Sequence, residues 1–338
     1  MTGPLVSLIV PTRNRRARLR QAVASILAQT HPRLEVLVIN DGGQDVTPVL
    51  DRFGDPRVRA LRLSRSGERC RARNLGLELA RGTYIGYLDD DDRLDPEHVA
   101  VCVAGLEKGA DVVYTAARRA VEERRGKRWR VTRRETAYAE PFDARRLLLE
   151  NYIPILAVMH RASCLDKVAP FDPDVPRTED WDFWIRLSRE YPFVFLDRET
   201  CEFSWRDAGT SMSGRQEPFA WAALNMFYKY APYVGNDPVV AQKHHSVIVG
   251  GLAILCRALD AWSGPASHCA REIFAVEDLE TVMRRSRWLL WRYPGFRRGF
   301  HHLLARLERL CGETQLAQAR LLAWPEPQPP TEAGVEGP

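Results

Sequence analysis

The sequence has few cysteines, and no two of them are spaced as a metal-binding pair. Its seven cysteines are dispersed along 338 residues without a CxxC motif. This spacing makes a zinc site improbable, because such sites use closely spaced pairs of ligands. An odd number of scattered cysteines instead favours reduced thiols in a cytoplasmic protein, where each thiol packs as a small apolar side chain.

Long apolar runs are also missing. The chain does not open on a basic stretch followed by an apolar segment, which is the pattern of a signal peptide. The best candidate for a membrane span, residues 247–256, is far shorter than the ~20 apolar residues that a span needs. We therefore expect a cytoplasmic protein whose contact with the inner face of the cell membrane, where it occurs, is peripheral.

A strong charge of either sign is absent as well. Lysine and arginine number 49 against 44 acidic residues, which gives a formal net charge of +5. This small excess suits phosphorylated ligands or an anionic membrane surface, and it does not by itself indicate a nucleic-acid partner.

By composition the chain divides into three regions. An α/β pattern extends over 1–215, helical patterns without strand signals occupy 216–323, and a proline-rich end follows at 324–338. The length fits one large domain with a smaller appendage. The last region has little apolar surface to bury, so we expect it to be disordered.

In the first region, short apolar runs alternate with helical patterns. Strands are predicted at 5–10, 35–39, 58–63 and 84–88, and helices at 17–29, 47–53 and 69–80. This alternation predicts a mostly parallel sheet with helices on both faces. Ligands of such sheets bind beyond the carboxyl ends of the strands, and the polar segments 12–14, 41–43 and 89–92 would meet there.

The remainder of this region is less regular. A basic segment at 118–134 is either a hairpin or a mobile loop, and a solvated surface is the default interpretation. The pattern then predicts a helix at 144–150, a strand at 156–160, a helix at 180–190 and short strands at 193–196 and 201–205.

Four consecutive aspartates, Asp89 to Asp92, directly follow a predicted strand. Adjacent carboxylates repel one another, and a nearby cation relieves that repulsion. Mg²⁺ and Mn²⁺ prefer carboxylate oxygens and often bridge to phosphates. A solvated turn, with Asp92 or Asp95 capping the helix that begins near Pro96, would explain one aspartate but not four. The run therefore favours a metal site.

Two further features are ambiguous when taken alone. Asp41 ends a strand before two glycines, where its carboxylate could accept the ring N–H of a uracil or guanine base, although a simple Asp-Gly turn is the stronger interpretation. Arginines at 69, 71 and 73 begin a predicted helix, where the helix dipole disfavours cations. A bound diphosphate would relieve that conflict, and a solvated basic surface is an equal alternative.

The segment 177–184 combines acidic and aromatic residues. Thr178 is a good N-cap, and acidic residues suit the first turn of the helix that it would begin. The aromatic side chains around Asp180 could also raise the pKa of a carboxylate and make it a useful general base.

In combination, these features resemble the family 2 glycosyltransferases of the GT-A fold. The resemblance covers about residues 5–213 and consists of five motifs in the order of the family. They are the strand and loop 6–15, Asn40-Asp41-Gly42, Ala72-Arg73-Asn74-Leu75-Gly76, Leu88-Asp89-Asp90-Asp91-Asp92 and Glu179-Asp180-Trp181-Asp182. Each motif is weak or moderate alone, whereas the ordered set is highly specific.

What this resemblance implies is an α/β enzyme with a GT-A catalytic domain at 1–215, a helical C-terminal extension and a dependence on Mn²⁺ or Mg²⁺. Asp180 would be the catalytic base, and the metal would lie on Asp91 and Asp92 with support from Asp89. The nucleotide would contact Pro11, Thr12, Asn14, Asp41, Arg71, Arg73, Asp90 and Arg206. Two positions depart from the family: Asn40 stands where an aspartate is usual, and Trp205-Arg206 opens a segment that often contains a histidine.

The function implied is inverting transfer of a sugar from a nucleotide-diphosphosugar, with UDP as the expected nucleotide, to a glycan or lipid-linked hydroxyl acceptor. Polysaccharide, lipopolysaccharide and glycoconjugate synthesis all fit. An inactive sugar-nucleotide-binding module and an NDP-sugar nucleotidyltransferase are the alternatives. The latter would need a glycine-rich loop after the first strand, where Thr12-Arg13-Asn14 stands. No GxGxxG follows that strand either, which argues against a dinucleotide oxidoreductase.

A last segment, 284–298, is dense in arginine and tryptophan. An amphipathic helix of this composition could lie on an anionic membrane where a lipid-linked acceptor waits. Packing of the tryptophans against the catalytic domain is the alternative.

Overall fold

The structure, a computed structural model, describes residues 3–64, 68–126, 128–173, 175, 177–206 and the isolated positions 226, 229, 230, 233 and 240. The predicted helical region 216–323 and tail 324–338 therefore lie outside the described residues, apart from those five positions. The candidate membrane segment 284–298 also lies outside them. Within the described part of the chain, no helix is both long enough and apolar enough to cross a bilayer.

One mixed sheet of nine strands organises the described residues. The strands are β1 (Val6–Thr12), β2 (Leu34–Asn40), β3 (Val58–Arg62), β4 (Tyr84–Tyr87), β5 (Arg93–Leu94), β6 (Val112–Arg125), β7 (Arg128–Tyr138), β8 (Val158–Arg161) and β9 (Phe193–Arg206). Their order is β3-β2-β1-β4-β8-β6-β9-β5, and β7 pairs with β6. The predicted α/β class is confirmed.

The first four strands form the parallel half of the sheet. β1 lies between β2 and β4 and is parallel to both, and β3 extends the same arrangement beyond β2. Every residue of β1, β2 and β4 is buried. Continuous apolar runs are what strands need when both faces of a parallel sheet are covered, and this explains why the sequence shows no polar alternation there.

The second half of the sheet mixes strand directions. β8 is antiparallel to both β4 and β6, whereas β9 runs parallel to β6. β5 pairs antiparallel with β9, which brings the segment just after the aspartate run against the end of the sheet. The sheet is therefore wholly parallel from β1 to β4, where the predicted parallel arrangement is found, and the other half keeps one parallel pair, β6 with β9.

Helices cover both faces of the sheet. They are α1 (Arg16–Leu27), α2 (Thr47–Leu50), α3 (Glu68–Leu79), α4 (His98–Glu107), α5 (Ala144–Leu147) and α6 (Glu179–Glu190). Apolar residues of α1 and α4 pack with Val6, Leu8 and Val10 on one face. Those of α3 and α6 pack with Ile9 and Ile85 on the other. This alternation along β1 creates two cores, one on each side of the sheet.

Most predicted strand boundaries differ from the structure by one or two residues, and two of the differences have a clear physical reason. β1 continues through Pro11 to Thr12, because β4 pairs with β1 only as far as Ile9 and the missing N–H of proline falls beyond that partner. The two strands predicted at 193–196 and 201–205 are one strand, β9. Its register against β6 shifts between Leu196 and Glu199, so the polar residues that suggested a break form an irregularity within the strand.

The basic segment 118–134 is a hairpin and not a loop. It comprises most of β6 and β7, which are antiparallel and joined at Gly126, a residue with φ of 64° that glycine adopts easily. The base of the hairpin is not a solvated surface, since Ala120, Val121 and Glu122 are buried beside β9. The predicted solvation holds for the tip, where Glu123 to Gly126 are exposed.

Gly76, in α3, lies where the helix comes closest to β1, and it gives the first stability prediction. A Cβ there would lie 2.5 Å from Cγ2 of Ile9, whereas a Cβ on Gly105 of α4 would meet side-chain ends at 3.1 Å. We expect Gly76→Ala to lower the free energy of unfolding by about 1–3 kcal/mol through overpacking. Gly105→Ala is the matched control and should change it by less than about 1 kcal/mol, since helix propensity offsets mild crowding. Urea denaturation measures both, and equal stability of the two variants would contradict this account.

Candidate active site

A cleft of about 290 Å³ opens at the carboxyl ends of β1, β2 and β4. The edge of the sheet predicted to bind ligands therefore carries a cavity. Its lining combines acidic side chains with arginines, and it comes from five separate segments of the chain: Pro11, Thr12, Arg13, Arg15, Asp41, Arg69, Cys70, Asp89, Asp90, Arg177 and Glu179. Of the predicted site residues, Pro11, Thr12, Asp41, Asp89 and Asp90 line it.

Asn14 and Asn40 shape the loops at this edge. The Asn14 side-chain oxygen accepts the Gln44 N–H at 2.8 Å, and Asn14 itself has a φ of 59°. Asn40 is buried, accepts the Gly43 N–H at 3.0 Å and donates from Nδ2 to the Gln44 carbonyl at 2.8 Å. A carboxylate could not make that donation. The departure from the usual aspartate at position 40 therefore has a structural explanation in the turn after β2.

The first two aspartates of the run face arginines and Thr12. Asp89 Oδ1 accepts from Arg73 Nη2 at 2.7 Å, and Asp89 Oδ2 lies 3.2 Å from Arg69 Nη1. Asp90 accepts the Thr12 hydroxyl at 2.7 Å and Arg15 Nη1 at 3.1 Å. The hydrogen bond from Thr12 joins the ends of β1 and β4, so the two loops form one wall of the cleft.

The last two aspartates contact the end of β9. Asp91 Oδ2 accepts from Arg15 Nη1 at 2.9 Å and from Arg206 Nη2 at 3.0 Å. The Asp91 carbonyl accepts the Ser204 hydroxyl at 2.6 Å, and Asp92 Oδ1 accepts the Ser204 N–H at 2.9 Å. Neither aspartate caps α4, whose N-cap position is Glu97 without a side-chain bond. The acidic turn is thus explained by contacts with arginines and β9.

The four carboxylates have different proton affinities because their surroundings differ. Arg69 and Arg73 outweigh the effect of burial on Asp89 and hold its pKa at about 2. Burial raises the pKa of Asp90 to about 6, with Asp91 adding to the effect. Burial, followed by the charges of Asp91 and Asp89, raises the pKa of Asp92 well above its usual value. Burial therefore disfavours the charged forms of Asp90 and Asp92, and a cation bound at these carboxylates would oppose that effect.

The carboxylates of this cluster fit a hard divalent cation that takes its remaining ligands from waters and a bound substrate. In the part of the chain that the structure describes, no three acidic, histidine or cysteine side chains form a complete metal site. Mg²⁺ is usually bound by one or two carboxylates together with waters and substrate phosphates, so a complete set of protein ligands is not required. A cation on Asp91 would share that carboxylate with Arg15 and Arg206.

Arg206 is held from two sides. Its Nε donates to Glu122 Oε2 at 2.9 Å, and Glu122 also accepts from Arg18 Nη2 at 2.6 Å. The guanidinium carbon lies 5.5 Å from the centre of the Trp129 ring, within range of a cation–π contact. The basic hairpin therefore fixes Arg206 beside Asp91.

Arg73 does not face the cleft. It is 1% exposed, and its guanidinium bridges Asp89 and Glu179, to which it donates from Nη1. Arg71 is exposed and lines a different cavity, with Asn74 and Leu165. The structure thus brings neither of these predicted nucleotide contacts to the cleft; the arginines that line it are Arg13, Arg15, Arg69 and Arg177.

Asp180 begins α6 next to Glu179, outside the lining of the cleft. Its Oδ1 accepts the Trp181 N–H at 2.8 Å, and its Oδ2 accepts from Asn151 Nδ2 at 3.1 Å. The predicted N-cap, Thr178, makes no side-chain capping bond, because the Asp180 carboxylate takes the N–H of the third helical residue instead. Burial and then the Glu179 charge raise the pKa of Asp180 to about 6.

Sequence reasoning missed Arg15, Glu122, Asn151 and Glu179 as functional candidates. Arg15 and Glu179 lie inside motifs of the family resemblance, but the functional roles in those motifs were predicted for neighbouring residues. The signal for Glu179 was its position beside the proposed base in an acidic first turn. Nothing local marks Glu122, which reaches the site only because β6 pairs with β9.

Comparisons with known proteins agree with this geometry. The family profile described as "Glycosyl transferase family 2" matches residues 7–166. The chain is 30% identical to the uncharacterized glycosyltransferase YwdF of Bacillus subtilis over 209 residues, which are 62% of this chain and 77% of that protein.

Two solved structures share the fold at low sequence identity. TarS of S. aureus in complex with UDP-GlcNAc has a TM-score of 0.52 and 17% identity, and the match covers 79% of this chain and 87% of that one. A mannosyltransferase of Pyrobaculum calidifontis in complex with GDP-Man and Mn²⁺ has a TM-score of 0.55 and 16% identity, covering 94% and 89%. The predicted GT-A class of the sheet is confirmed by these neighbours.

The two arginines of α3 give a matched test of the site. Arg73→Ala would leave the buried Glu179 carboxylate without its partner and Asp89 with Arg69 alone, which we expect to lower the free energy of unfolding by about 3–5 kcal/mol. The exposed Arg71→Ala should change it by no more than about 0.5 kcal/mol. Urea denaturation at pH 7.5 measures both. A similar loss in the two variants would show that Arg73 is not the buried bridge described above.

Proposed function

Because this chain belongs to the family 2 glycosyltransferases, we propose that it moves a sugar from a nucleotide-diphosphosugar to a hydroxyl acceptor with inversion at the anomeric carbon. The observation that carries this proposal is the cleft beyond β1, β2 and β4. Asp41, the aspartates Asp89 and Asp90, and four arginines line it together. A base-binding carboxylate and a charged diphosphate region thereby share one cavity.

For the donor, we propose a UDP-sugar lying across the cleft from Thr12 and Asp41 toward Arg15 and Arg69. The Asp41 carboxylate can accept the ring N–H of uracil, as it could that of guanine. Arg15 and Arg69 are each about one-third exposed, so their guanidinium groups can reach a diphosphate. TarS was solved with UDP-GlcNAc and the mannosyltransferase with GDP-Man. Both support a nucleotide sugar as the donor, so the binding experiment below compares uracil and guanine nucleotides.

Asp91 would hold the divalent cation, Mn²⁺ or Mg²⁺, with Asp89 and Asp92 in support. When bound, the cation supplies Lewis-acid stabilisation of the negative charge that develops on the departing diphosphate. Arg15 and Arg206 already contact Asp91. Their positive charges would therefore lie beside the same diphosphate oxygens as the cation. The nucleotide then leaves as an anion, and the reaction needs no carboxylic acid on the leaving-group side, unlike glycoside hydrolysis.

Asp180 is the proposed general base. Its carboxylate removes the proton of the acceptor hydroxyl while that oxygen attacks the sugar from the face opposite the diphosphate, a single displacement that inverts the carbon. Glu179 cannot take this role, since Arg73 holds it in a buried ion pair. The base is therefore the acidic residue of α6 that has hydrogen-bond donors rather than a cation on its oxygens.

The acceptor is proposed to be a growing cell-surface polysaccharide, a lipopolysaccharide or another glycoconjugate, reached from the cytoplasmic side. The segment 284–298, which would contact a lipid-linked acceptor, lies outside the described residues.

Donor binding tests the metal site directly. We expect Mn²⁺ to promote binding of one nucleotide class among UDP, GDP and dTDP, measured by isothermal titration calorimetry. Asp91→Asn should lose at least about tenfold in affinity, because a ligand of the cation is gone. Asp197→Asn, in the exposed irregularity of β9, is the matched control and should bind as the native protein does. Absence of metal-dependent binding to any of the three would favour an inactive module.

Turnover and its pH dependence test the base. Asp180→Asn should reduce kcat by roughly 10²–10⁴-fold with an unchanged Kd for the donor, as expected on removing a general base. In the native enzyme kcat/KM should rise with pH through a midpoint near 6, because the base works only when ionised and its pKa is about 6. Full turnover by Asp180→Asn, or a midpoint near 4, would assign the base elsewhere.

A further inference from the structure

We propose that Asn151 is a positioning residue for the Asp180 carboxylate: it fixes the direction of the base and offers an oxygen to the proton that the base takes up. This inference rests on the proposed function in taking Asp180 as the base. It does not depend on which sugar or acceptor the enzyme uses.

The carboxylate of Asp180 is held at both oxygens from two different parts of the chain. Oδ1 accepts the Trp181 N–H of its own helix at 2.8 Å, and Oδ2 accepts Nδ2 of Asn151 at 3.1 Å. One donor alone would leave the carboxylate free to rotate about its last bond. Two donors on opposite oxygens fix its plane, and a fixed plane is what in-line attack by an acceptor oxygen requires.

Asn151 can act in this way because its segment is fastened to α6. The indole N–H of Trp181 donates to the Leu147 carbonyl at 2.6 Å, and that of Trp184 donates to the Ile153 carbonyl at 3.1 Å. These two bonds lie on either side of Asn151 in the sequence, and Ile153 is fully buried. The aromatic residues that follow Asp180 thus serve to hold the residue that orients it.

The Asn151 side chain has one polar atom to spare. Its Oδ1 is buried and has no hydrogen-bond partner among the described residues. A buried amide oxygen without a partner is costly, so its retention needs an explanation. Rotation of the amide by 180° would turn Oδ1 toward Asp180, where it could accept the O–H of the protonated carboxyl. The same side chain can therefore donate to the base before proton transfer and accept from it afterwards.

Among the described residues, three other ionisable side chains lie close enough to Asp180 to interact with its charge. Glu179, on the same helix, raises the pKa of Asp180, and Arg73 of α3 lowers it. Tyr138, at the end of β7, is close enough for the Asp180 charge to help raise the phenol pKa, and the phenol is neutral near pH 6. Glu179 and Arg73 form a buried ion pair with each other. The Trp181 N–H and the Asn151 amide are the neutral donors that favour the ionised base.

The test is a titration of Asp180 itself in the full-length protein. The ¹³C NMR shift of its side-chain carboxyl would be followed with pH after labelling of aspartate and assigned by its absence in Asp180→Asn. We expect a midpoint near 6 in the native protein. In Asn151→Ala the midpoint should rise by about one pH unit, the effect of losing one hydrogen bond to the charged form. The acid limb of kcat/KM should move by the same amount.

Two variants complete the design. Asn151→Asp keeps the size of the side chain, so it covers the case in which Asn151→Ala does not fold, and its added carboxylate should also raise the midpoint. Thr178→Val is the matched control: the buried Thr178 hydroxyl, two residues before Asp180, makes no bond within the described residues. Its removal should leave the midpoint unchanged.

The outcomes separate this inference from the proposed function. An unchanged Asp180 midpoint in both Asn151 variants overturns the positioning role, even where Asp180→Asn abolishes transfer. An equal shift in Thr178→Val also overturns it, because the effect would then be general to the site. If the midpoint shifts in a protein that transfers no sugar, the positioning of Asp180 by Asn151 is supported. The role of Asp180 as the base of a glycosyltransferase is then rejected.

Discussion

The buried bridge of Arg73 between Asp89 and Glu179 is the interaction on which the rest of the site depends. It joins the end of β4 to the start of α6, two elements that are 90 residues apart in sequence. Removing the Arg73 guanidinium would leave the buried Glu179 carboxylate unpaired and Asp89 with Arg69 as its remaining cation. The position of Arg73 also distinguishes the two neighbouring acidic residues of α6. Glu179 is paired with the Arg73 guanidinium, whereas the oxygens of Asp180 accept hydrogen bonds from neutral donors.

A second set of ion pairs extends this arrangement to the other side of the cleft. Asp91 is held by Arg15 and Arg206, and Arg206 is held in turn by Glu122 at the base of the hairpin. Charges from β1, β4, β6 and β9 therefore meet in one network. Such a network keeps arginines in place for an anionic ligand without leaving them unpaired in its absence.

The sequence was sufficient to predict the parallel half of the sheet, and with it the meeting of Thr12, Asp41 and Asp90 at one edge. Those contacts follow from strand ends that must lie side by side. It was not sufficient for Arg73, because whether an arginine faces a ligand or a buried acid depends on how deeply α3 packs. The roles of Glu122 and Asn151 arise from strand pairing and from indole bonds between distant segments, which have no local pattern.

Gly76 lies one helical turn beyond Arg73, on the same side of α3. Since Ile9 would meet any side chain at position 76, the glycine sets how near the helix approaches the sheet, and so the depth at which the guanidinium lies. The two residues thus act together, one as the spacer and the other as the charge that it places. A larger residue at 76 would therefore disturb the pairing of Arg73 with Asp89 and Glu179 through its contact with Ile9.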